Sequence, residues 1–310
     1  MGNSLTGTRI GFWGLGNMGA PMARRLVAAG AHVLGRDPNP AAEAAHAASG
    51  GSIDPSADLS ALDIVVLMLP TSDVVESVLL GDGLADALSS SVVVVDMSSS
   101  EPLRTRALAA ELQHRGLGFV DAPVSGGVTG AQKGTLTIMA GGAQHVFDTV
   151  EPVLAALGRP ALVGPVGAGH ALKALNNLLS ATHLWATSEA ILIGEKFGLD
   201  PAIMLEAING SSGRSGSTEN KWPNFILPGT YDSGFGARLM LKDMKIATAL
   251  GHSLDVPVSL GDAAVDEWAS AIDALDADAD HTEVVRYLRD RLREMAPPAI
   301  LPADAGQPTR

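Results

Sequence analysis

The chain is 310 residues long, 46% hydrophobic and 18% charged, with 21 Lys and Arg against 34 Asp and Glu and hence a formal net charge of −13. That length is more than one hydrophobic core usually serves and excludes a peptide hormone or small disulfide scaffold, while the apolar content excludes global disorder. The acidic balance, with no block of Lys or Arg, argues against a nucleic-acid partner, and the lack of cysteine rules out disulfides, a thiolate nucleophile and Cys-ligated metal, as suits a cytoplasmic protein.

Residues 1–6, MGNSLT, fit an N-myristoylation pattern by letter but read as a plain leader, with no charged or apolar secretory segment ahead of the first strand. From Thr8 onward, short apolar runs alternate with Ala- and Leu-rich stretches of helical period. The runs are Ile10 to Trp13, His32 to Leu34, Ile64 to Leu69, Val92 to Val95, Phe119 to Ala122, Leu136 to Met139 and Ala161 to Val163. All are far shorter than the roughly 20 residues of a membrane-spanning helix, so no membrane partner is expected. Continuous Val, Ile and Leu strands separated by helices predict α/β architecture, a doubly wound Rossmann sheet that is parallel and covered on both faces.

The first strand leads into Gly14, Leu15, Gly16, Asn17, Met18 and Gly19, and a helical pattern from Pro21 to Ala29 follows. Glycines at this spacing permit a tight turn, close approach of the backbone to a pyrophosphate, and helix-on-strand packing, with the helix N-terminus facing the phosphates. Asp37, 21 residues beyond Gly16, is placed to accept from ribose hydroxyls and to repel a 2′-phosphate, which favours NAD. Arg36 beside it could pair with that phosphate, so NADP stays possible.

After Val163 the strand pattern ends. Gly167 to Phe197 reads as one long helix, followed by helical patterns at Pro201 to Ile208, Ala237 to Gly251, Ser259 to Leu275 and His281 to Met295. The Gly-, Ser- and Pro-rich stretch from Asn209 to Gly236 is read as a long functional loop. The expected division is a dinucleotide-binding domain at 1–165, an all-helical substrate and oligomerisation domain at 166–296 entered by the long helix, and a disordered tail at 297–310 with four prolines. The apolar surface of the long helix points to a homodimer or homotetramer.

Four motifs in order give the chain a family resemblance. They are the glycine turn from Gly11 to Gly19, Asp121-Ala122-Pro123-Val124-Ser125-Gly126-Gly127, the segment Gly167 to Asn177, and Lys242-Asp243. The sequence resembles the β-hydroxyacid dehydrogenases over nearly its whole length. The resemblance implies that Ser125, Gly126 and Gly127 hold the substrate carboxylate, that Lys173 is the general acid/base with Asn177 as its partner, and that Lys242 reaches substrate and cofactor from the helical domain. It also places Leu69, Pro70 and Ser99 at the cofactor and suggests that the loop Ser211 to Arg214 closes the pocket. Lys173 and Asn177 are four residues apart and so share a helix face, and the Gly167-Ala168-Gly169 opening is read as letting that helix approach the cofactor.

On this reading NAD takes a hydride from C3 of a small 3-hydroxy acid, with 3-hydroxyisobutyrate, giving methylmalonate semialdehyde, as the leading substrate. Tartronate semialdehyde or another sugar-acid or sulfonate aldehyde is the alternative, and a non-catalytic dinucleotide-binding scaffold is the rival from another class. His170, His183 and His252 lack metal-ligand spacing. Asp273, Asp276, Asp278 and Asp280 imitate a calcium loop only in composition, and no metal is expected. Asn209-Gly210-Ser211 matches a glycosylation sequon by letter alone.

Overall fold

A computed structural model describes residues 5–294. The first four residues of the leader, and the tail 297–310 read above as disordered, lie outside the described residues. The order of the α/β part is β1 (Arg9–Trp13), α1 (Gly19–Ala28), β2 (His32–Arg36), α2 (Pro40–Ala48), β3 (Ile64–Leu67), α3 (Ser72–Glu76), α4 (Leu84–Ala87), β4 (Val93–Asp96), α5 (Pro102–His114), β5 (Gly118–Asp121), β6 (Val124–Ser125), α6 (Gly127–Lys133), β7 (Leu136–Gly141), α7 (Gln144–Leu157) and β8 (Gly158–Gly164).

The strands hydrogen-bond in the order β2-β1-β3-β4-β5-β7-β6, with β8 also pairing β7. Every residue of β3 is buried, as is every residue of β4, because helices cover both faces. Ile64, Val66, Val93 and Val95 enter the core on one face, and Val65, Leu67 and Val94 the core on the other, the period-2 alternation of a strand. β1 to β5 are parallel, whereas β7 runs antiparallel to β5 and β6. The sheet is therefore mixed at that edge, not parallel throughout; apolar runs report burial of both faces and carry no information on strand direction.

The helical part comprises α8 (Ala168–Phe197), α9 (Pro201–Asn209), α10 (Ala237–Ser253), α11 (Ser259–Ala274) and α12 (Val284–Glu294). Its core gathers Leu184, Ile191, Trp222, Ile226, Met240, Met244, Trp268 and Ile272. The stretch Asn209 to Gly236 is not a plain loop, because Ser217–Ile226 forms a wide π-type helical segment that buries Trp222 and Ile226. Those two residues stand four apart on one face, an amphipathic signal that Pro223 and the surrounding Gly and Ser obscure. Leu172, Leu175, Leu179, Ile193 and Phe197 leave an exposed apolar stripe along α8. No described helix is long and apolar enough to cross a membrane.

Candidate active site

β1 is followed by β2 on one side and β3 on the other, so the direction of winding reverses between β1 and β3. Loops at such a switch point diverge and leave a crevice at the carboxyl ends of the strands. Gly14 sits there with φ +95°. A Cβ on Gly14 would lie 2.2 Å from the Met68 carbonyl oxygen, and one on Gly19 would lie 1.8 Å from that of Gly14. Both glycines are thus required by the fold itself. Gly16 differs, since a Cβ there meets nothing within 4 Å. The protein leaves this position open, as a close-lying pyrophosphate demands, and the turn Gly14 to Gly19 ahead of α1 fits a dinucleotide.

Asp37 follows β2 and accepts hydrogen bonds from the Leu15 backbone N–H at 2.7 Å and the Asn39 N–H at 2.8 Å. It ties the second strand to the glycine turn and presents a half-buried carboxylate to the crevice. Arg36 donates to the carbonyls of Gly35 and Asp54, so its guanidinium is already engaged. Leu69 and Pro70 continue from β3, where the Leu69 N–H donates to Ser98 Oγ at 2.9 Å.

Asp96 and Asp121 stand at the carboxyl ends of β4 and β5, both buried. Asp121 accepts from the backbone N–H of Gly167 at 2.7 Å and of His170 at 2.9 Å, capping the first turn of α8 with a carboxylate. Burial pushes the Asp121 carboxyl above its ordinary value, opposed by His170 and by these backbone donors. His170 Nδ1 hydrogen-bonds Thr105 Oγ1 at 2.8 Å, and its Nε2 lies 3.7 Å from Asp96 Oδ2. A Cβ on Gly169 would fall 2.1 Å from the Met139 carbonyl oxygen. Close contact with the sheet thus requires glycine at position 169.

That anchorage places Lys173 one turn into α8, 7% exposed. Its ammonium lies 5.6 Å from the centre of the Phe235 ring. Burial lowers the Lys173 pKa, Asp243 opposes the shift, and Lys242 reinforces it. Asn177, on the same face, donates through Nδ2 to Asp243 Oδ2 at 2.6 Å, while Asp243 Oδ1 lies 3.2 Å from Lys242 Nζ. Lys242 in turn donates to the Ser99 carbonyl at 2.6 Å. Asn177, Asp243, Lys242 and Ser99 thus form one connected group between the helical part and the end of β4, and Lys173 feels the charges of Asp243 and Lys242.

Ser125 ends β6 and Gly127 opens α6, and the backbone turns between them with φ +132° at Gly126 and +60° at Gly127. Such a turn can turn its N–H groups toward an anion without a charged side chain. A Cβ on Gly127 would come 4.0 Å from the Gly234 carbonyl oxygen, so the segment 233–235 faces it. The loop Ser211 to Arg214 is exposed and held within its own neighbourhood, by Ser211 Oγ to the Ala207 carbonyl and Arg214 to Glu219. Phe235 carries no local signal in the sequence, and Asp121 and Asp243 carry only their place inside the quoted motifs. Among the described residues, no three His, Cys, Asp or Glu side chains are grouped to hold a metal.

Two family profiles divide the chain. Residues 9–167 match the NAD binding domain of 6-phosphogluconate dehydrogenase, and residues 167–288 match the NAD-binding domain of NADP-dependent 3-hydroxyisobutyrate dehydrogenase. The chain is 41% identical to 2-(hydroxymethyl)glutarate dehydrogenase of Eubacterium barkeri, over 81% of this chain and 85% of the relative. It is 38% identical to 3-hydroxyisobutyrate dehydrogenase of Pseudomonas aeruginosa, over 82% of this chain and 89% of the relative. Among solved structures, 3-hydroxyisobutyrate dehydrogenase of Mycobacterium tuberculosis with L-serine superposes with a TM-score of 0.85 at 34% identity, covering 91% of this chain and 99% of that one.

Proposed function

The chain belongs to the β-hydroxyacid dehydrogenases, NAD(P)-dependent oxidoreductases, and on that premise we propose that it oxidises a small 3-hydroxy acid at C3 with Lys173 as general acid/base and NAD as the preferred cofactor. The observation that carries this reading is the burial of Lys173 beside Asn177, Asp243 and Lys242, a group that Lys242 joins to Ser99 beyond the end of β4. A lysine near its ordinary pKa of about 10.4 is protonated at neutral pH, and only a desolvated one supplies a neutral amine there.

Ser125, Gly126 and Gly127 bind the carboxylate, which directs the C3 hydroxyl toward Lys173. NAD held at the glycine turn would supply the hydride acceptor for C3. Lys173 takes the hydroxyl proton as that bond breaks, and returns it in the reductive direction. Asn177 is held by Asp243 and orients the hydroxyl or the amine, while Lys242 joins the helical part to Ser99 at the cofactor. Gly14, Leu15, Gly16, Asn17, Met18 and Gly19 receive the pyrophosphate, Asp37 the ribose, and Leu69 and Pro70 border the crevice. We place the division between the dinucleotide and substrate domains near residue 165, and assign the exposed stripe of α8 to contact with a second copy of the chain.

3-Hydroxyisobutyrate, L-serine and 2-(hydroxymethyl)glutarate, the compounds named for the similar proteins, share one unit: a primary alcohol on the carbon next to the one bearing the carboxylate. They differ only in the third substituent. Ser125 to Gly127 and Lys173 address the shared unit, so the proposed substrates are 2-substituted 3-hydroxypropionates, with 3-hydroxyisobutyrate as the first choice. A steady-state panel varying that substituent, run with NAD and NADP and ranked by kcat/KM, tests the proposal. Failure of every member to reduce NAD or NADP would overturn it.

A further inference from the structure

Asp280 lies far from Lys173 in sequence and belongs to an acidic stretch without an assigned role. Its carboxylate is unusually committed. Oδ2 accepts from the Gly234 N–H at 2.8 Å and the Phe235 N–H at 3.2 Å, and both oxygens accept from Ser233 Oγ at 2.8 and 2.9 Å. Oδ1 also takes the Thr282 N–H at 2.9 Å and Thr282 Oγ1 at 2.7 Å. The same segment is held from its neighbours, since the His281 N–H donates to the Phe235 carbonyl at 2.8 Å and the Ala237 N–H to the Ala279 carbonyl at 2.8 Å. His281 packs its ring edge-on against Phe235, with centroids 5.8 Å apart.

The loop so gripped touches the site at two points. Its Phe235 ring covers Lys173, and its Gly234 carbonyl faces Gly127. A carboxylate collecting three donors from consecutive residues fixes that loop more firmly than neutral contacts would, because charge-assisted hydrogen bonds are the stronger kind. We propose that Asp280 is a positioning residue for the reaction: through Ser233, Gly234 and Phe235 it holds the aromatic ring that keeps water from Lys173 and the backbone that faces the carboxylate-binding turn. This rests on Lys173 being the general acid/base.

The charged groups acting on Lys173 are Asp243 and Lys242 of α10, and both stay in place when the loop loosens. What changes is hydration. Burial is the main cause of the lowered Lys173 pKa, so freeing Phe235 lets water reach the ammonium and moves that pKa up toward its ordinary value.

The test compares wild type with Asp280→Asn, Phe235→Ala, the double variant and Lys173→Ala, by pH profiles of kcat/KM for oxidation. Asn keeps one acceptor oxygen but cannot receive all three donors. Asp280→Asn should lower kcat/KM for the hydroxy acid roughly tenfold, leave the KM for NAD within about twofold, and move the limb that vanishes in Lys173→Ala up by about half a pH unit or more. Phe235→Ala should shift it the same way, and the double variant should be little worse than the poorer single one. Additive losses, or an unmoved limb in both single variants, overturn the role of Asp280 while leaving that of Lys173 intact. A limb persisting in Lys173→Ala overturns the proposed function itself, and this inference with it. Should Asp280→Asn fail to fold by circular dichroism, Ser233→Ala removes one contact of the same carboxylate and must show the smaller shift in the same direction; no shift overturns the inference.

Discussion

Lys242 reaches from α10 to the backbone carbonyl of Ser99 and closes a 2.6 Å hydrogen bond across the junction between the helical part and the carboxyl end of β4. The contact joins the helical part to the α/β part. Replacing Lys242 by Met leaves a carbonyl without its charged donor, a loss of order 1.5 kcal/mol or more, so the KM for NAD and for hydroxy acid should each rise roughly tenfold. kcat should change much less, because the contact exists before the transition state. Steady-state kinetics with a fluorescence titration of NAD check this.

Lys173→Ala should behave in the opposite way. Removal of a positioned acid/base lowers kcat by a factor on the order of 10² to 10⁴, with NAD affinity little changed. On the proposed mechanism the neutral amine is the active form for oxidation, so kcat/KM should fall as pH drops through the lowered pKa of Lys173. A variant keeping more than about half of kcat, with a C3 deuterium isotope effect showing that chemistry is rate-limiting, makes Lys173 structural.

Burial of Lys173 also has a cost in stability, with a definite pH dependence. Between its lowered native pKa and the unfolded value of about 10.4, the unfolded chain binds a proton that the native site has released, and stability rises with pH over that window. Lys173→Met removes this contribution. Its melting temperature should exceed that of the wild type by a few degrees near pH 7, the gap closing as the pH approaches about 10. Differential scanning calorimetry across that range decides the matter; a gap that widens with pH refutes it.

The glycines of the first turn should separate cleanly. Gly19→Ala drives a Cβ to 1.8 Å from the Gly14 carbonyl oxygen and should lower the melting temperature sharply. Gly16→Ala, which meets no protein atom within 4 Å, should leave the apo melting temperature almost unchanged while raising the KM for NAD by about tenfold or more. Equal effects of the two on apo stability would show that Gly16 serves packing alone.

Asp37 predicts preference for NAD over NADP. Asp37→Ser should reduce the NAD to NADP ratio of kcat/KM by roughly tenfold or more, through loss of a repelling carboxylate. Full reversal is not expected, because Arg36 is engaged with the carbonyls of Gly35 and Asp54. The same change removes the acceptor of the Leu15 N–H, so affinity for NAD should fall as well. Higher kcat/KM with NADP in the unmutated enzyme would refute the role of Asp37.

What could be read from the sequence was what is local. The strand, the glycine turn and Asp37 fall within some thirty residues, where spacing alone specifies geometry, and α8 was legible as the helical stretch Gly167 to Phe197 against the observed Ala168–Phe197. The partners of Lys173 were not legible in this way. Asp243 meets Asn177 only because α10 folds back along α8, Phe235 meets Lys173 from the segment just ahead of α10, and no period in the chain records such contacts. The antiparallel edge of the sheet and the helical segment Ser217–Ile226 escaped for the related reason that apolar patterning reports burial, not direction or partner.

The grip of Asp121 on the first turn of α8 makes that turn a fulcrum. With 30 residues at a rise of about 1.5 Å each, the helix is a lever about 45 Å long, and Lys173 stands only about 8 Å along it from Ala168. A tilt that swings the far end by about 5 Å therefore displaces the backbone at Lys173 by about 1 Å. A displacement of the helix near Ile193 and Phe197 is thus geared down before it reaches the amine.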